Sequence, residues 1–303
     1  MLIKTENSNI IKLLLKKLYI PSSNSHKGQN GRVLVIGGSS LFHSASIWAA
    51  EIASHFADIV HYSSTKENNK IFLSLKKKFR NGIVVSQRNL PEYVKEDDAI
   101  LTGPGMIRKF KVESSKLKVN NFEKLIKIGD EGEYTYYLTK FLIESFPEKR
   151  FVFDAGALQM MEKDWLLKLK ERPIVTPHQR EFKQLFGIDL RKLDENQMAV
   201  VVKKTAYKYQ CVILLNAIID IISDGEEVYI IKGGNAGLTK GGVGDLLAGL
   251  VLSFAAKNNQ LLSAVLASYF LKKSADRLFI KKGYWYNIDD LIEAITQLIK
   301  KEI

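Results

Sequence analysis

The segment Gly233-Gly234-Asn235-Ala236-Gly237-Leu238-Thr239-Lys240-Gly241-Gly242-Val243-Gly244-Asp245 joins a dense run of glycines to one carboxylate at the edge of an apolar stretch. Glycine at this density costs conformational entropy and is found where backbone must come close to something. A helix starting straight after Gly244 leaves its first-turn N–H groups unpaired and partly positive, which makes an anion site. Asp245 at the mouth of that site suits a base that takes a proton from an attacking hydroxyl beside bound phosphates. The competing reading is a helix cap, a common place for aspartate. A cap does not account for the Gly-Gly-x-Gly lead-in, so phosphoryl transfer is the chemistry these residues fit best.

Other constellations are weaker. Neither Gly-x-x-x-x-Gly-Lys-Ser/Thr nor a full Gly-x-Gly-x-x-Gly after the first strand occurs in the chain. Gly37-Gly38-Ser39-Ser40 reads equally as a ligand loop or as an ordinary strand-to-helix turn. Thr176-Pro177-His178 with Glu181 follows one strand, and Asp154-Ala155-Gly156-Ala157 follows another. His178 alone reads as a hydrogen-bonder before a catalyst, and Asp154 equally as a crevice carboxylate or a turn. His26, His43, His55 and His61 have no metal-ligand spacing with His178, so no protein metal site is expected. Cys211, the sole cysteine, precedes an apolar run and is expected to be buried; no internal disulfide can form.

These residues fall at the ends of short apolar runs. Strands are expected at Arg32–Gly37, 57–62, 82–86, Ala99–Thr102, Arg150–Phe153, 173–175, Val212–Leu215, 218–222 and 227–231, with Asp224-Gly225 turning a late hairpin. Helices are expected at 44–56, 246–256 and 261–278. Continuous apolar strands alternating with helices predict an α/β fold with a mostly parallel sheet covered on both faces. Such a sheet puts its ligand site beyond the carboxyl ends of its strands, where the glycine-rich stretches lie. Residues 1–25 read as a short helix, 9–18, and a polar turn, and residues 26–303 as a single domain. Residues 106–132 read as a surface excursion with no assigned chemistry.

The chain has 303 residues, 46% hydrophobic and 26% charged, an ordinary globular composition. Its longest apolar runs, 45–50 and 246–256, fall short of the roughly 20 residues of a membrane span. No leader pattern is apparent, and a cytoplasmic location is expected. Lysine and arginine total 45 against 33 acidic residues, a formal charge of +12 that attracts polyanions. The excess lies in short runs, among them Lys76-Lys77-Lys78, Lys203-Lys204 and Lys272-Lys273, whose plain reading is solvated helix faces. None interleaves aromatics for base stacking, so nucleic acid is not an expected partner.

The ordered set Lys27-Gly28, Gly37-Gly38-Ser39, Gly103-Pro104-Gly105, Asp154-Ala155-Gly156-Ala157-Leu158, Thr176-Pro177-His178 with Glu181, and Lys240-Gly241-Gly242-Val243-Gly244-Asp245 with Ala248-Gly249 resembles the ADP/ATP-dependent NAD(P)H-hydrate dehydratases of the ribokinase-like superfamily. The match runs from about His26 to the C-terminus; each piece is weak alone and the ordered set is specific. The resemblance implies a ribokinase-like three-layer sandwich and a repair reaction. ATP or ADP phosphorylates the hydroxyl of hydrated NADH or NADPH, and loss of phosphate restores the ring double bond. It implies Asp245 as the base, with Ala45, Gly103, Gly105 and His178 lining the hydrate's pocket. It implies Asn216, Ala217, Ile218, Ile219, Asp220, Gly241, Gly242 and Gly244 on the nucleotide, Mg²⁺ bridging the phosphates, and a homo-oligomer. The epimerase often fused to the family would need a further amino-terminal domain, so a stand-alone dehydratase is expected.

Three departures stand out. Asn216-Ala217 replaces the family's Lys-Gly, Val243 replaces a threonine beside the base, and Ser44-Ala45 replaces Gly-Ala. Lys232 or Lys240 is a candidate to restore the charge lost at Asn216. The alternatives are a ribokinase-like small-molecule kinase using the same Asp245, a catalytically impaired nucleotide-binding homologue, and a non-catalytic binder of dinucleotide or nucleic acid.

Overall fold

The computed structural model describes residues 1–6, 9–109 and 121–303. Ten strands form one sheet: β1 (Leu2–Lys4), β2 (Arg32–Ile36), β3 (Ile59–Ser63), β4 (Ile83–Val84), β5 (Ala99–Thr102), β6 (Arg150–Phe153), β7 (Ile174–Val175), β8 (Val212–Leu215), β9 (Asp220–Ser223) and β10 (Val228–Lys232). Their order is β1-β10-β9-β8-β7-β6-β5-β2-β3-β4. Every neighbouring pair is parallel except β8–β9 and β9–β10. The mostly parallel sheet with a late hairpin is as expected. Asp224 holds the hairpin turn by accepting from the N–H groups of Glu226 and Glu227, both at 2.9 Å.

Strand side chains alternate between two cores. Val33, Val35, Leu101 and Val152 face one core with the helices Ser44–Ala53, Val243–Ala255, Gln260–Lys282 and Ile288–Glu302. Leu34, Ile36, Ile100, Phe151 and Phe153 face the other, with Leu90–Glu96, Glu131–Ser145, Gln179–Phe186 and Glu195–Tyr209. The result is three layers. Cys211 is buried, as its apolar neighbourhood indicated.

Two expectations shift. The amino-terminal segment contributes β1, which pairs in parallel with β10, as well as a helix, Asn9–Leu15. The glycine-led helix begins at Val243, not after Gly244, because Gly242 is its cap at φ +96°. A Cβ on Gly242 would also stand 2.5 Å from the Trp48 ring, so both backbone and packing demand glycine there. Within the 106–132 excursion, Phe122–Leu125 is helical and Leu125 is buried; residues 110–120 lie outside the described residues.

Strand order reverses between β5 and β2, which opens the crevice at the carboxyl edge of the sheet. The helix Val243–Ala255 runs antiparallel to the strands it covers. Its last carbonyl, Ala255 O, accepts from Arg150 at the start of β6, so its amino end lies at the carboxyl edge.

Candidate active site

Four strand ends and one helix start converge at that edge. Beyond β6, Asp154 is buried and accepts a 2.7 Å hydrogen bond from Thr176 Oγ1 beyond β7. Glu181, also buried, accepts from Gln159 Nε2 at 2.7 Å and from the His178 backbone N–H at 3.0 Å. His178 caps the helix Gln179–Phe186, with Nδ1 accepting from the N–H groups of Arg180 and Glu181, each at 3.1 Å. An accepting Nδ1 puts the proton of the neutral ring on Nε2. The ring is half exposed, and its Nε2 stands 3.6 Å from Glu181 Oε2.

Asp245 occupies the first turn of its helix. A helix start favours an ionised carboxylate by about 0.3–1 kcal/mol. Burial opposes it and wins, with Glu181 adding repulsion, and the Asp245 carboxyl is pushed up to about 6. That is a poise suited to a general base near neutral pH. Burial, with repulsion from Glu181 and Asp245, also raises Asp154 well above the usual carboxylate range.

The glycines of this edge do different work. A Cβ on Gly103, at φ +127°, would fall 1.7 Å from Asp154 O, so Gly103 lets the β5 and β6 ends close on each other. Gly244 is the contrast: its added Cβ would meet only Asn216 Nδ2, at 4.0 Å. Gly241 would meet nothing within 4 Å. Protein packing does not require glycine at either place, so both leave open space beside the backbone. Ala45 packs under Gly105, whose Cβ would lie 3.0 Å from Ala45 Cβ. Gly37 and Gly38 are crowded by Pro104 O, Ser64 and Asn68, which favours the turn reading of that stretch.

A cleft of about 440 Å³ opens beside Gly244. Asn216, Ala217, Ile218, Asp220, Lys240, Val243, Gly244 and Lys272 are among its walls. Ile219, Gly241 and Gly242 are not among the wall residues. Of the two lysines considered as replacements, Lys232 pairs with Glu195 at 2.7 Å and faces a different groove. Lys240 reaches the cleft, bonds Tyr284 O and lies 4.9 Å from the Tyr286 ring centroid. Sequence reading missed Lys272 and Gln159. Lys272 looked like half of a solvated pair, yet it is 3% exposed.

The family model for NAD(P)H-hydrate dehydratase matches residues 33–297. The chain belongs to the NAD(P)H-hydrate dehydratase family. Within it, the chain is 30% identical over 289 residues to the ADP-dependent (S)-NAD(P)H-hydrate dehydratase of Nitrosopumilus maritimus, covering 94% of this chain and 95% of that one. It is 34% identical over 297 residues to the bifunctional NAD(P)H-hydrate repair enzyme Nnr of Methanocaldococcus jannaschii, covering 94% of this chain and 51% of that one. The chain therefore spans about half the length of such bifunctional relatives. The fold also matches the ADP/ATP-dependent NAD(P)H-hydrate dehydratase of Bacillus subtilis co-crystallised with ATP/Mg²⁺, with a TM-score of 0.73, 19% identity and 96% of each chain covered. No helix among the described residues is long and apolar enough to cross a membrane.

Proposed function

We propose that this chain dehydrates hydrated NADH or NADPH at the expense of ATP or ADP. The observation that carries the proposal is Asp245, poised near neutrality, one residue after a glycine whose side-chain space is open to a cleft. Asp245 takes the proton of the ring hydroxyl, and the freed oxygen attacks the terminal phosphorus of the nucleotide. The bond from that phosphorus to its bridging oxygen breaks, and the shortened nucleotide leaves. Phosphate then departs from the ring carbon with its bonding electrons while the neighbouring carbon loses a proton, which restores the double bond. The first-turn N–H groups around Gly244 hold the transferring phosphoryl, and the half-exposed His178 ring borders the hydrate. Ala45, Gly103 and Gly105 would border the hydrate, and Asn216, Ala217, Ile218, Asp220 and Gly244, which line the cleft, would border the nucleotide; Ile219, Gly241 and Gly242 drop out of that set.

Magnesium fits as a companion of the phosphates and not as a protein-held centre. No group of three or more metal-ligating side chains gathers among the described residues. Hard carboxylate oxygens are nonetheless at hand in Asp154 and Glu181, and magnesium commonly needs only one or two beside phosphate and water. When bound, the ion neutralises developing phosphate charge.

The test is to incubate the protein with hydrated NADH and ATP or ADP and follow the absorbance of the reduced ring. Recovery of absorbance with one nucleotide consumed per ring supports the reading. Accumulation of a stable phosphorylated product points to a kinase instead.

A further inference from the structure

Lys272 lies midway along the helix Gln260–Lys282, almost fully buried, where lysine is rare unless paired. Its ammonium donates to Ala217 O at 3.1 Å and Ile218 O at 3.0 Å and stands 3.3 Å from Asp220 Oδ1. These three partners match its three donors. Asp220 is buried as well and accepts from the Ala217 N–H at 3.0 Å and from Ser268 Oγ at 2.7 Å. The loop between β8 and β9 is thus gripped from both sides, its carbonyls by Lys272 and an amide by Asp220. Two carbonyl oxygens that would repel phosphate if turned into the cleft are committed to an ammonium. Asn216, at the head of this loop, brings no charge of its own, and Lys232 is occupied elsewhere.

We infer that Lys272 is a positioning residue of the nucleotide site, which with Asp220 locks the 216–219 loop in the shape that receives the nucleotide. The inference rests on the proposed function insofar as the cleft beside Gly244 is the nucleotide site. It differs from a plain structural role in its target: the loop's shape should govern nucleotide affinity and leave hydrate affinity alone.

Removing Lys272 alone strands a buried carboxylate, a change that often unfolds proteins. The informative variant is therefore the double substitution Lys272→Met with Asp220→Asn, which removes both charges together. Calorimetric titration with ATP and steady-state kinetics are measured on the full chain. The expected result is a Kd and a KM for ATP raised at least tenfold, with the KM for hydrated NADH unchanged and kcat at saturating ATP within threefold. A folded double variant that binds ATP like the unsubstituted protein overturns the inference. Hydrogen exchange on the unsubstituted protein, without ligand, tests the lock independently of any variant. Slow exchange is expected at the Ala217 amide, the one bonded by Asp220, and exchange there as fast as at exposed surface loops overturns it. Failure of the unsubstituted protein to bind ATP at all would count against the function reading, while the exchange result would still judge the lock.

Discussion

Gly244 and Asn216 face each other across the cleft, the glycine's missing side chain leaving 4.0 Å to the amide nitrogen of Asn216. One belongs to a helix start and the other to a strand end, so the gap between them is set by the docking of helix on sheet. Replacing Gly244 with alanine costs nothing in protein contacts and gains helix propensity of about 0.5–1 kcal/mol. The expected outcome is a melting temperature that holds or rises. Nucleotide affinity should fall about tenfold, equivalent to about 1.4 kcal/mol. Thermal unfolding and ATP titration of Gly244→Ala check both halves.

Asp245→Asn should abolish turnover while leaving nucleotide affinity largely intact. It should also stabilise the fold. The folded carboxyl is pushed up to about 6 from an ordinary 3.8, so between those values the folded state holds more proton than the unfolded chain. Stability contributed by this group therefore falls as pH rises through that window, and above it the ionised form costs roughly 3 kcal/mol at most. Denaturant unfolding at pH 7.5 and at pH 4 tests the sign: the asparagine variant gains at the higher pH and little at the lower.

The same poise sets a pH dependence for turnover. The base works only when ionised, so kcat/KM should rise with pH to a plateau, with its half-point near 6. A profile flat from pH 5 to 8 would remove Asp245 from the role of base.

Gly103→Ala should be severe for a different reason. Its methyl would overlap Asp154 O and occupy a backbone region strained for any L side chain. A loss of about 3–5 kcal/mol in stability is expected, with activity lost in proportion to folded protein. An alanine variant as stable as the parent would show that the β5 and β6 ends can part without harm.

Much of this was legible in the sequence because glycine and β-branched runs signal locally. The nine expected strands recur within a few residues, since each is a short apolar run ended by a breaker. The position of Gly244 and Asp245 in the first turn of a helix, with Gly244 on a cleft, was readable for the same reason. Lys272 was not. It sits beside Lys273 in a helix buried on most of its sides, so apolar periodicity could not tell an inward lysine from an outward one. Its partner Asp220 comes from 52 residues earlier, and only tertiary packing joins them. The helix start was misjudged by two residues because Gly242's positive φ, rather than the last glycine, is what interrupts the preceding chain.

The amino-terminal strand has a consequence for handling the protein. Thr5 Oγ1 donates to Asp276 Oδ2 at 2.6 Å, and the same oxygen receives the Gly234 N–H at 3.1 Å. Gly233 presses so closely on Thr5 that an added Cβ would stand 2.0 Å from its hydroxyl. The opening residues are thus a buttress for the glycine loop. A purification tag that pulls β1 from its neighbour, or a protease that clips it away, should register as slackened grip on ATP long before the molecule melts.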